Sequence, residues 1–206
     1  TLALDQLMSV ASVGPFLSRQ LIQRFTTSNP SPAYISRVTQ VFNDGRYTLP
    51  NGIAIGGGLR GDLKATIAAI LLDRENLEPE TPNTFGKLRE PVLRFTQWAR
   101  AFSAGTVTPE YTLELYDLFS TSNYGQGLAQ HPFSAPSVFN FYRPGYVPPG
   151  TDSGAAGMTV PELQIVTPET IPAYMNFITF FAMASTQNAD LSVYREIGGL
   201  TGVNFD

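Results

Sequence analysis

Four times along the chain a helix-starting signal stands directly before apolar residues that recur every three to four positions, and this repetition most restricts the fold. Ser31 is followed by Pro32 and then by Tyr34, Ile35, Val38, Val41 and Phe42. A hydroxyl side chain at the N-cap accepts from an amide that the helix leaves without a partner, and proline at the first helical position lacks a donor that would have been orphaned anyway. Asp62 precedes Leu63, Ile67, Ile70 and Leu71 in the same manner, and Thr108-Pro109-Glu110 precedes Leu113, Tyr116 and Phe119, although the β-branched and aromatic content there also suits a strand. Thr167-Pro168-Glu169 opens a run from 171 to 183 that is apolar on nearly all sides, the pattern of a buried helix. The chain therefore reads as mainly α, an irregular helical domain with long ordered loops and one small β-hairpin.

The remaining segments fit this frame. Leu2, Leu4 and Leu7, then Phe16, Leu17, Leu21 and Phe25, predict two helices joined near Gly14. Between 44 and 60 the pattern changes to Gly, Pro and Asn, and Asn51-Gly52 separates two short apolar groups, which predicts an inserted hairpin. A further helix is expected to begin near Gly86 and to carry Leu88, Val92, Phe95, Trp98 and Phe102 on one face. Residues 120–158 are dominated by Gly, Pro, Ser and aromatics and predict a long ordered loop held by its own side chains. The expectation is one helical domain over 1–206, with no solenoid repeat.

Composition excludes several function classes. With 13 Lys+Arg against 17 Asp+Glu, a net charge of -4 and no basic run, the chain lacks the clustered positive surface that nucleic acid requires. With no cysteine and one histidine, no disulfide framework, thiolate metal site or imidazole cluster can form, so neither a metal nor another cofactor is expected. The apolar run at 174–184 is shorter than the roughly 20 residues of a membrane span.

The residues able to carry chemistry are few. Gly56, Gly57 and Gly58 ahead of Asp62 suggest a phosphate loop, but no Lys-Ser/Thr pair follows, and a linker before a capped helix explains them. Arg60-Gly61-Asp62 has an equally plain reading, with Asp62 as the N-cap. Lys87, Arg89, Glu90 and Arg94 crowd one predicted helix start. Glu90 and Arg94 are spaced as a structural ion pair, while Arg89 and Arg94 could fork onto an anionic or sugar ligand. The most individual stretch contains His131, Phe139, Asn140, Phe141, Tyr142 and Arg143. Such aromatics with amide and guanidinium groups suit a carbohydrate or peptide platform, and equally suit a set of pins fixing a long loop to the helices. Arg89, Glu90, Arg94, His131, Asn140, Tyr142 and Arg143 are accordingly the candidate binding residues. No constellation marks a catalytic centre.

Several longer words occur in order: Val13-Gly14-Pro15-Phe16, Thr27-Ser28-Asn29-Pro30-Ser31-Pro32-Ala33-Tyr34, Arg60-Gly61-Asp62-Leu63-Lys64, Gly86-Lys87-Leu88-Arg89-Glu90-Pro91, and Pro136-Ser137-Val138-Phe139-Asn140-Phe141-Tyr142-Arg143-Pro144. Together they resemble the C-terminal half of the bacterial domain of unknown function 1800 family, with the segment from 47 to 55 as an insertion. The resemblance implies a longer exported protein, periplasmic, cell-surface or extracellular, and no particular activity. The leading expectation is a non-catalytic helical module that binds or assembles with another macromolecule at the cell exterior, the partner being a protein, a further copy or a glycan. The alternative is an enzyme acting on extracellular polysaccharide or sulfated glycan.

Overall fold

The computed structural model describes residues 2–79, 84–101, 105–106, 128–130, 135–183 and 203–204. It is mainly helical, and the chain divides into two units, Thr1–Leu88 with Pro144–Pro161, and Arg89–Arg143 with Glu162–Asp206.

In the first unit α1 (Leu2–Ser9) leads to α2 (Val13–Phe25), so the break predicted near Gly14 falls just before it and Gly14 lies in the first turn of α2. α3 (Pro32–Asp44) is built as its sequence predicts. The Ser31 hydroxyl accepts from the Tyr34 amide at 3.1 Å, and Tyr34, Val38 and Phe42 form a fully buried stripe. Each such side chain removed from water contributes about 1.5–3 kcal/mol. With Ile22 of α2 and Ala69 and Ile70 of α4 (Leu63–Leu71), Tyr34 and Val38 make the core.

Polar groups fix how these helices meet. The Tyr34 hydroxyl donates to the Ile70 carbonyl at 2.6 Å, filling one of the acceptors that the end of α4 leaves open. Asp73 caps a short helix missed by periodicity, α5 (Arg74–Leu77), and also takes a two-pronged ion pair from Arg37 at 2.7 and 2.8 Å. Glu75 in α5 accepts from both the amide and the hydroxyl of Ser31, so the starts of α3 and α5 hold each other.

The predicted hairpin is present as β1 (Tyr47–Thr48) paired antiparallel with β2 (Ala54–Ile55). It leaves α3 through Gly45, whose φ of 61° ends the helix in the left-handed region. A methyl group on Gly45 would come within 2.0 Å of the Leu59 carbonyl oxygen. Arg60 donates to the Met8 and Val10 carbonyls and to Asn43, and Asp62 caps α4 while also accepting from Gly57 at 2.7 Å. The amides of Ala65 and Gly57 hold the Asp62 carboxyl below its ordinary pKa, so this contribution to stability is lost as acid protonates it. The glycine-rich segment is thus a structural corner: the Gly57 amide is taken by Asp62.

In the second unit α6 (Pro91–Ala101) starts later than expected. Pro91 supplies the first helical residue, and the residue before a proline is disfavoured in helical conformation, which displaces the start from Gly86. Gly86 itself belongs to the first unit, where it exchanges hydrogen bonds with Thr27 at 3.1 Å each way. After β3 (Gly105–Thr106) the predicted Thr108 helix lies outside the described residues. Within the expected long loop, in the part that belongs to the first unit, Thr151 caps a single helical turn, α7 (Asp152–Ala155). α8 (Thr170–Met183) is entered through mutual bonds between Thr167 and Thr170. Its first part is one-sided rather than buried all round: Ala173 and Phe177 face inward and Ile171 and Met175 outward, because one turn of helix meets the Phe95 ring on one side only. β4 (Val203–Asn204) pairs with β3.

Two outcomes are expected from this packing. Burial pushes the Tyr34 hydroxyl from 10.0 to about 12. Its neutral form is therefore favoured by folding, and that stabilisation is complete below about pH 10 and lost as the pH rises towards 12. Tyr34→Phe is expected to lose about 1 kcal/mol at neutral pH and to show a shallower alkaline decline, measured by urea unfolding at several pH values. Gly45→Ala should cost at least about 2 kcal/mol in the same assay, from backbone strain plus the collision at Leu59.

Candidate functional site

The start of α6 and the loop at 135–143 are brought together through one buried carboxylate. Glu90 is 8% exposed, and it immediately precedes α6, where a negative group complements the partial positive charge of the helix end. Its Oε1 accepts from the Tyr142 hydroxyl and its Oε2 from the Gln130 amide at 2.7 Å. Gln130 then uses its own oxygen to accept from the Val92 amide at 3.2 Å, so a side chain 38 residues away satisfies a donor in the first turn of α6. Tyr142 and Gln130 are 4% and 2% exposed, so the whole network is shielded from water.

The loop is shaped to deliver Tyr142. Asn140 has a φ of 71° and its amide donates to the Ser137 carbonyl, closing a turn, while the Phe139 amide donates to the Ser137 hydroxyl. Asparagine tolerates this left-handed conformation better than most residues. The Arg143 amide is fixed by Gln164 at 2.8 Å. At the tip of the turn the side chains of Val138 and Phe139 stand in solvent, 94% and 45% exposed.

The other candidates are placed differently. Arg94 lays its guanidinium over the Tyr174 ring at 4.1 Å, so the ion pair expected of Glu90 and Arg94 gives way to two separate contacts with distant partners. The Arg94 Nε is buried with no hydrogen-bond partner among the described residues. Arg89 and Arg143 are exposed, and Asn140 is half-buried with its backbone committed to the turn. His131 lies outside the described residues. Gln130, Gln164 and Tyr174, which the sequence reading did not single out, complete the arrangement.

With this geometry established, the chain can be set beside known proteins. A family described as a protein of unknown function (DUF1800) matches residues 1–196. The chain belongs to the DUF1800 family. No curated protein matches it, and no solved structure does.

In this DUF1800 chain, no group of three His, Cys, Asp or Glu among the described residues is placed to hold a metal ion. Among the same residues, no helix is long and apolar enough to cross a membrane. The arrangement can hold a loop rigidly: a buried carboxylate with donors on both oxygens fixes two side chains and one helix start at once. Tyr142→Phe is expected to destabilise the protein by about 1–3 kcal/mol, because a buried carboxylate loses a donor. Phe139→Ser at the exposed tip should stay within about 0.5 kcal/mol. Thermal and urea unfolding of the two variants would separate pin from tip.

Proposed function

We propose that this chain is a non-catalytic, exported helical module that binds another protein at the cell exterior through the turn tip bearing Val138 and Phe139. The observation that carries this reading is the division of labour within the loop. Tyr142 is spent on anchoring, hydrogen-bonded to Glu90 in a buried network, while two apolar side chains three and four positions earlier are held out in water. A rigid turn presenting apolar side chains loses little conformational freedom on binding, which is what a preorganised contact requires. Exposed aromatic groups are also a frequent source of binding energy at protein interfaces. Placement at the exterior rests on what the family resemblance implies.

An enzyme acting on polysaccharide would need a carboxylate accessible to the glycosidic oxygen. Glu90, the acidic member of the candidate set, is shielded from solvent and accepts hydrogen bonds on both oxygens, which speaks against Glu90 as the acid or base of such an enzyme.

Tagged protein presented to extract of the native cell envelope should retain a partner, and Val138→Asp with Phe139→Ser should reduce that retention at least tenfold while leaving the unfolding midpoint unchanged. Equal retention by the wild type and this double variant would sink the assignment of the tip. Detection of the native protein only in the cytoplasmic fraction would remove the exterior placement.

A further inference from the structure

The first unit contains a groove of about 870 Å³ unrelated to the Glu90 network, within the size range of ligand sites. It lies beside the starts of α3 and α5, with Pro30, Pro32, Ile35 and Phe85 supplying apolar lining. Its charged groups divide into two sets. Arg37 is held by Asp73 and Glu75, and Glu75 is further occupied by the amide and hydroxyl of Ser31. That set pairs one cation with two carboxylates and is held within the fold, with Asp73 lying outside the lining itself. Arg19 from α2 and Arg74 from α5 also line the groove, are exposed, and have no side-chain hydrogen bond or ion pair among the described residues. Against them stands Glu78, so the lining carries three arginines against two glutamates, a surplus of one positive charge in a chain whose net charge is -4.

We propose that this groove binds an acidic polypeptide segment, with Arg19 and Arg74 receiving its carboxylates and the proline and phenylalanine lining covering its apolar side-chain atoms. A guanidinium presents a planar fork that matches a carboxylate with two parallel hydrogen bonds. The carboxylates of this region are largely consumed. Asp73 serves Arg37 and the Glu75 amide, and Glu75 serves Ser31 and Arg37, leaving few acceptors for the many hydroxyls of a sugar. Free donors with few free acceptors favour a ligand rich in carboxylate over a glycan. This site is independent of the Val138 and Phe139 tip, and either can stand without the other.

The test uses the whole chain with labelled poly-L-glutamate of about 20 residues at low salt, read by fluorescence anisotropy, with heparin as a second probe. Arg19→Ser with Arg74→Ser is expected to weaken poly-glutamate binding at least tenfold. Arg46→Ser with Arg100→Ser, which removes the same charge from exposed positions outside the groove, should change it less than twofold. All four positions are exposed, so both double variants are expected to fold, checked by circular dichroism. Equal weakening by the two double variants would show unspecific attraction and overturn the site. Absence of poly-glutamate binding by the wild type would overturn it too, as would binding of heparin alone, which would assign the groove to sulfated glycan instead.

Discussion

Tyr34 is the residue through which the first unit is held in register. It belongs to the N-terminal turn of α3, its ring is in the core, and its hydroxyl reaches the last carbonyls of α4. Packing alone lets two helices slide or rotate at small cost, whereas a hydrogen bond between a buried hydroxyl and one particular carbonyl permits a single arrangement. Just outside the core, Arg37 and Asp73 with Ser31 and Glu75 tie α3 to α5, the next helix along the chain from α4. The inner bond and the outer network constrain α3 against α4 and α5 from two sides, and the groove beside Arg19 and Arg74 inherits its shape from that constraint.

The second unit solves the same problem with partners from further along the chain. Both α3 and α6 begin at a proline, but α3 is capped by the residue just before it, whereas the Val92 amide in the first turn of α6 finds its acceptor in Gln130. Glu90 joins Gln130 to the loop through Tyr142, so helix start and loop are one polar assembly. Arg94 makes the corresponding link to α8 through the face of Tyr174. A cation stacked on a ring satisfies charge without consuming a carboxylate, while Glu90 accepts from Gln130 and Tyr142.

This contrast explains what could be read from the sequence and what could not. Ser31-Pro32, Asp62 and the stripe from Tyr34 to Phe42 are local signals, fixed by residues within one or two helical turns, and each predicted element is present. The hairpin was legible because Asn51-Gly52 demands a tight turn, and Gly52 adopts a φ of 84°. For the candidate site, the sequence named Glu90, Tyr142 and Arg94 but not their pairing. Helical spacing links Glu90 to Arg94, while the bonds that form join Glu90 to Gln130 and Tyr142, 40 and 52 positions away. Periodicity carries no information at that range. The same limit hid α5, too short to show a period, and placed the start of α6 at Gly86, whose backbone is claimed by Thr27.

The remote acceptor at the start of α6 also bears on the order of events during synthesis. The Val92 amide cannot find its acceptor until the ribosome has added the 38 residues up to Gln130, and Glu90 waits longer for Tyr142. At about 5–20 residues per second this is a delay of several seconds. Through that interval the first turn of α6 and a carboxylate destined for the interior are both open to water, whereas the locally capped start of α3 has no such wait. In a chain built this way the start of α6 and the loop join into one polar network only once Tyr142 has been made.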